Sequence, residues 1–251
     1  MSDYRSDLKN KIIVIVGADS FYGKKIVELL AVADATLILI DFKGEANQSL
    51  VCGDQKPSSK QVNHIYYQID QTEKNLQTLA EQIVQQWGIP DFLFNCCMAT
   101  PVSMSTHELT AQKLQSSLDH SFFPLFYSVR VFVPLMMASQ KPTHMINIAC
   151  AHEFYALPYQ AMSAMSNQSI VVWSECLYHD LKAYESNLTV SLLCLGEEPD
   201  LSKAQLQTVF VAVQQQTFYI LLNKKIKPLL QQRMQAILQG NKPAVFCDDP
   251  I

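Results

Sequence analysis

Seven short runs of β-branched and other apolar residues punctuate the chain, at 12–16, 36–40, 64–68, 91–95, 144–149, 189–194 and 244–247. Between them lie longer stretches whose apolar residues recur at helical spacing, at 21–32, 73–87, 110–138, 158–184 and 201–239. The short runs are continuous, as in KIIVIV and TLILI, which is the pattern of strands covered by helices on both faces. Strand–helix alternation of this kind predicts an α/β fold, a doubly wound parallel sheet of about seven strands with helices on both faces. No internal repeat, low-complexity tract or linker interrupts the pattern, so 1–251 reads as one domain, with the polar stretch 44–61 as a surface loop.

Composition narrows the function classes without choosing among them. A net charge of −4 and no basic stripe leave no footprint for nucleic acid. The opening MSDYRSDLKNK is too polar for a signal peptide, and no apolar run approaches the ~20 residues of a membrane span, so no membrane partner is expected. The seven cysteines, at 52, 96, 97, 150, 176, 194 and 247, are odd in number, form no CxxC and sit mostly in apolar surroundings. Reduced, buried thiols are the expectation, with no metal site and a cytoplasmic setting; the adjacent Cys96–Cys97 pair leaves redox chemistry open. Seven glycines are few for a protein whose backbone must approach a nucleotide closely.

In a doubly wound sheet, ligands bind outside the carboxyl ends of the strands, so the residues after each strand carry the chemistry. The first such stretch is GADSFYG, 17–23, a glycine-bearing turn that leads from a strand into a helix. A turn of this kind can hold phosphate on the helix N-terminus. Taken with the strand-end residues LILID, YYQID, DFLFNCCM, MINIAC and VSLLCLG, it resembles the short-chain dehydrogenase/reductase family in chain order over about 230 residues. VGADSFYG resembles that family's TGxxxGxG, with Phe21 in place of the second glycine, and FNCCM resembles its NNAG segment, with Asn95 kept. The resemblance implies a Rossmann-like fold and hydride transfer between a nicotinamide and a carbonyl or alcohol carbon.

It also implies where that chemistry should sit, and those positions are empty. The family's asparagine, serine, tyrosine and lysine fall at Ser121, Cys150, Ser163 and Asn167, the last two separated by the i, i+4 spacing that puts them on one helix face. No lysine or arginine occurs between Pro142 and Leu181, so a shifted register does not restore the set. Without a nearby cation, a serine hydroxyl is not lowered into the range of a general acid, and losing such a group costs ~10²–10⁴ in rate. One Tyr-x-x-x-Lys does occur, Tyr178 to Lys182, but it falls too late on its helix. His152, Tyr155 and Tyr159 follow the fifth strand and are candidates either for substitute acid–base groups or for plain pocket wall.

For a cofactor, the resemblance implies that Gly17, Ser20, Phe21, Gly23, Asp41, Asp70, Asn95 and Cys96 line the dinucleotide site. Asp41 in that role bonds the ribose hydroxyls of NAD(H) and repels the extra phosphate of NADP. Each has a structural alternative: the glycines for tight packing, Asp70 as a cap for the helix near Thr72, Asn95 as a bridge between strands. Phe21, the charge of Asp19 beside the helix N-terminus, Asn167, and Glu197 and Glu198 after the sixth strand weaken the site, so NAD(H) binding is expected to be weak at most. Function therefore reads as binding, regulation or oligomer partnership on a degenerate active site, with an NAD(H)-dependent oxidoreductase using non-standard residues as the alternative. The surplus apolar residues of 110–138 and 158–184 point to a homodimer or homotetramer, or a hetero-oligomer with an active family member.

Overall fold

The computed structural model describes residues 4–43, 63–98, 102–150, 154, 156–196, 201–222 and 226–243. Within them the strands are β1 (Ile12–Val16), β2 (Thr36–Phe42), β3 (Asn63–Ile69), β4 (Phe92–Asn95), β5 (Thr143–Cys150), β6 (Leu188–Leu195) and β7 (Tyr219–Leu221). The helices are α1 (Tyr4–Asp7), α2 (Phe21–Leu30), α3 (Glu73–Gln86), α4 (Ala111–Met137), α5 (Ala161–Ala183), α6 (Lys203–Gln214) and α7 (Ile226–Leu238). All seven strands pair in parallel in the order β3-β2-β1-β4-β5-β6-β7. The expected doubly wound Rossmann-like sheet is present.

The continuous apolar runs are explained by two cores. Alternate residues of β1 and β2 point to opposite faces, as strand geometry requires. Ile13, Ile15, Leu37 and Leu39 enter one core with α1, α2 and α6. Val14, Val16, Ile38 and Ile40 enter the other with α3, α4 and α5. Phe132 of α4 and Phe94 of β4 are fully buried anchors of these layers. α1 was not apparent from the pattern; it is four residues long and is held by Tyr4, whose ring stacks on Phe210 of α6 at 5.6 Å.

One expected element is corrected. The stretch 201–239, read as a single helix, is two helices separated by β7. Gln216 takes a left-handed φ of 54° and Thr217 N–H returns to Ala212 O, which ends α6 and turns the chain into the sheet. β7 then runs beside Leu192–Cys194 as the edge strand. The strand expected at 244–247 and the loop expected at 44–61 lie outside the described residues, so the observed seventh strand is a different segment. Among the described residues no helix is long and apolar enough to cross a membrane.

Candidate functional site

The strand order changes direction between β1 and β4, and the crevice that follows from this topology lies over their carboxyl ends. The turn 17–23 is built there by contacts that only glycine permits. Gly17 has φ 79°, and a Cβ on it would stand 2.5 Å from Cys97 Sγ and 2.9 Å from Cys97 N. A Cβ on Gly23 would stand 2.1 Å from Gly17 O. Ser20 caps α2 by accepting the Gly23 N–H at 3.0 Å, and its hydroxyl donates to Cys96 O at 2.7 Å. The turn is thus tied to the end of β4. Phe21 is the first residue of α2; its ring is 60% exposed and meets Tyr22 edge-on at 5.1 Å. It sits at the helix N-terminus that would face an anion.

Asp41 is brought to the turn but is already engaged. Both of its carboxylate oxygens accept the Asp19 N–H, at 3.0 and 2.9 Å, and the Tyr66 hydroxyl also donates to it. Only 6% of the residue is exposed. Burial raises its pKa to about 7; the Asp19 N–H bond opposes the rise, and the Asp19 charge adds to it. Asp19 itself lies 2.6 Å from the Lys24 ammonium, which offsets the negative charge noted in the loop. Asp70 stands apart from the turn, exposed and paired with Lys43 at 3.2 Å. It is not the cap of α3: Thr72 is, accepting the Asn75 N–H.

Asn95 does bridge strands. Its amide donates to Asn147 Oδ1 of β5 at 2.8 Å, and Asn147 donates to Ser174 of α5 at 2.9 Å, a buried polar chain through the sheet. Burial pushes the thiols of Cys96 and Cys97 well above the ordinary range, so neither is a thiolate near neutral pH, the form that redox chemistry needs.

Of the four positions that the resemblance assigns to catalysis, three (Ser121, Ser163 and Asn167) have side chains hydrogen-bonded within the scaffold. Ser121 is fully buried in α4 and donates to Ser117 O at 2.7 Å. Ser163 donates to the backbone and side-chain oxygens of Gln160, at 3.2 and 3.0 Å. Asn167 Oδ1 accepts the Cys150 N–H at 3.1 Å, while its Nδ2 donates to Ser163 O at 3.2 Å. Asn167 therefore staples the end of β5 to the first turns of α5. Tyr159, one turn before Ser163, has a left-handed φ of 62°, is 43% exposed and accepts the Met104 N–H through its carbonyl. His152 and Tyr155 lie outside the described residues. Tyr178 and Lys182 are at the other end of α5, with the ammonium 5.7 Å above the Tyr178 ring, far along the helix from the crevice.

Sequence reasoning missed Tyr22. It is 8% exposed in α2, and its hydroxyl donates to Gly196 O, just past β6, at 2.5 Å. The available signal was an aromatic with a polar tip on the inner face of a helix: such a hydroxyl needs a partner when buried.

Comparison with known proteins agrees with this fold. A family model for short chain dehydrogenases matches residues 11–199. A 2,5-dichloro-2,5-cyclohexadiene-1,4-diol dehydrogenase of Sphingobium indicum is 22% identical over 167 residues, covering 66% of this chain and 64% of that protein. The chain thus spans just under two thirds of the length of that relative. A CLA biosynthesis dehydrogenase/reductase of Lactiplantibacillus plantarum is 22% identical and matches 98% of this chain and 99% of its own length. A short chain dehydrogenase/reductase from Burkholderia phymatum, solved in complex with NAD, superposes with a TM-score of 0.79 at 20% identity, over 100% of this chain and 99% of that one. A parallel seven-stranded sheet, a glycine turn at its switch point and a family match over three quarters of the sequence place this chain in the short-chain dehydrogenase family.

Proposed function

We propose that this chain keeps the family's fold without its hydride-transfer chemistry and acts as a binding, regulatory or oligomer-partner protein, with at most weak NAD(H) binding. The observation that carries the reading is Asn167: at the position of the family's lysine, both ends of its amide are hydrogen-bonded to the scaffold. It brings no positive charge to Ser163, whose own hydroxyl is turned to Gln160. Nothing in this group supplies a proton to a carbonyl at neutral pH. Residues 1–251 are taken as one domain, and the free cysteines among the described residues fit a cytoplasmic setting.

A second reading, an NAD(H)-dependent oxidoreductase with substitute acid–base residues, is favoured by Tyr159, exposed and held in a strained left-handed backbone one helical turn before Ser163. One experiment separates the two: thermal unfolding with NAD, NADH or NADPH at millimolar concentration, alongside NADH oxidation with a panel of carbonyl compounds. A ligand at its dissociation constant stabilises by ~0.4 kcal/mol, and one at ~100 times that value by ~2.7 kcal/mol. The expected result is a shift of about 1 °C or less and no turnover. A large shift with NADH, together with turnover that Tyr159→Phe abolishes, would establish the second reading instead.

The oligomer proposal rests on α4 and α5. Met165 and Val172, seven residues apart on α5, are both exposed on one face, next to the aromatic group of Phe122, Phe126 and Trp173. Self-association through this face is the natural cover, and a hetero-oligomer with an active family member uses the same surface. Val172→Glu is expected to shift the sedimenting species from dimer or tetramer to monomer without lowering the unfolding temperature of the monomer; an unchanged sedimentation profile would reject the face.

A further inference from the structure

Of the features that the mechanism leaves unused, the Tyr22–Gly196 contact carries furthest, because it spans the crevice. β1 and β6 are separated by β4 and β5 in the sheet, three strand spacings, or ~14 Å. Tyr22 belongs to the helix that follows β1, and Gly196 is the first residue beyond β6. Their hydrogen bond of 2.5 Å therefore joins the two flanks of the carboxyl-end surface. The ring is no loose surface group. It is packed into the core with Ala18, Leu195 and Leu201, and Phe21 covers it edge-on from the solvent side. The adenosine-binding side implied by the resemblance, at the ends of β2 and β3, lies across β1 and is untouched by Tyr22.

We propose that Tyr22 excludes the nicotinamide half of a dinucleotide: its ring and hydroxyl fill the span between the turn after β1 and the chain after β6 that such a ligand must cross. The inference deepens the functional reading above and rests on it. It assigns the loss of cofactor to a residue that closes the space, beyond the missing lysine and the altered turn. A nucleotide that ends at its phosphates does not reach this span, so the block is selective. ADP meets the turn 17–23 as it stands, whereas NADH requires Tyr22 to leave its core pocket and give up a buried hydrogen bond.

The test compares NADH with ADP on the full chain by isothermal titration calorimetry, for the wild type, Tyr22→Phe and Tyr22→Ile. Tyr22→Phe keeps the ring in the core and removes the hydroxyl with its bond to Gly196, which is worth up to ~10-fold in binding. Tyr22→Ile also removes the ring. The wild type is expected to bind NADH no more tightly than ADP. The NADH-to-ADP affinity ratio should rise by up to ~10-fold in Tyr22→Phe and by more in Tyr22→Ile, with ADP itself unchanged. Should Tyr22→Ile fail to fold, as judged by circular dichroism, Tyr22→Phe alone decides. An unchanged ratio in the folded variants, an equal rise for both ligands, or a wild type that already prefers NADH tenfold would overturn the proposal. Turnover by the wild type would instead overturn the loss of hydride transfer, so the two failures are separable.

Discussion

Gly23→Ala is expected to destabilise the protein by roughly 3 kcal/mol, against the usual preference of helices for alanine. In an exposed helix interior this change stabilises by up to ~1 kcal/mol. Here the new Cβ would stand 2.1 Å from Gly17 O, 2.8 Å from Ala18 O and 2.9 Å from Ala18 C. All three are backbone atoms, so no side chain can swing aside. Gly17 O is also the acceptor for the Ser20 N–H, and Ser20 holds both the Gly23 N–H and Cys96 O. Relieving the clash therefore moves the cap, the turn and the end of β4 together. Overpacking of this kind costs ~1–3 kcal/mol, and the rigid neighbours put this site at the upper end. For a chain of this size that corresponds to a fall in unfolding temperature of roughly 6–12 °C, read by circular dichroism. A variant that melts with the wild type would show that the turn is not packed as described.

The same turn shows which parts of the fold and site can be seen in a sequence. Strand positions were legible because both faces of the sheet are buried, and β1 runs over the expected 12–16. β7 was not, because three residues within a long apolar stretch carry no period of their own; their state is set by pairing with Leu192–Cys194. The place of Asp41 at the end of β2 was legible, but its partner was not. Whether a carboxylate faces a ligand or a loop N–H depends on how the turn closes over it, and that closure is a tertiary event. That Ser121, Ser163 and Asn167 stand where the family carries its catalytic groups was an expectation drawn from the resemblance along the chain. What the structure adds is that their replacements are hydrogen-bonded parts of the scaffold, and that Tyr22 reaches across to Gly196.

Asp41→Asn is expected to stabilise the protein above pH 7 and to change its pH dependence. The carboxyl of Asp41 has a pKa of about 7 in the folded chain against 3.8 for an ordinary aspartate, chiefly because it is buried. The folded state thus holds a proton that the unfolded state has released between these values. The contribution of the group is complete below pH 3.8 and is lost as pH rises through 7, an upper limit of about 4 kcal/mol. Asparagine cannot ionise, and its side-chain oxygen can still accept the Asp19 N–H. His144 works in the opposite sense. Between Thr189 and Ser191 its ring is buried and its pKa is lowered from 6.5 to about 4, so its contribution is complete above 6.5 and lost as pH falls through 4. His64, lowered by partial burial, acts in the same direction. From pH 6.5 down to 4, Asp41 and His144 oppose each other by about one proton each, and their slopes nearly cancel in the wild type. In Asp41→Asn the histidine slope is no longer opposed by Asp41, and His144 contributes about 1.4 kcal/mol per pH unit to it, with His64 adding in the same sense. Unfolding in urea at a series of pH values from 4.5 to 8.5 therefore should show a variant that is several kcal/mol more stable than the wild type at pH 8, with the advantage shrinking to about 1 kcal/mol by pH 4.5. A constant difference across that range would mean that the Asp41 carboxylate is already ionised at acid pH, and that the turn closes over a charge.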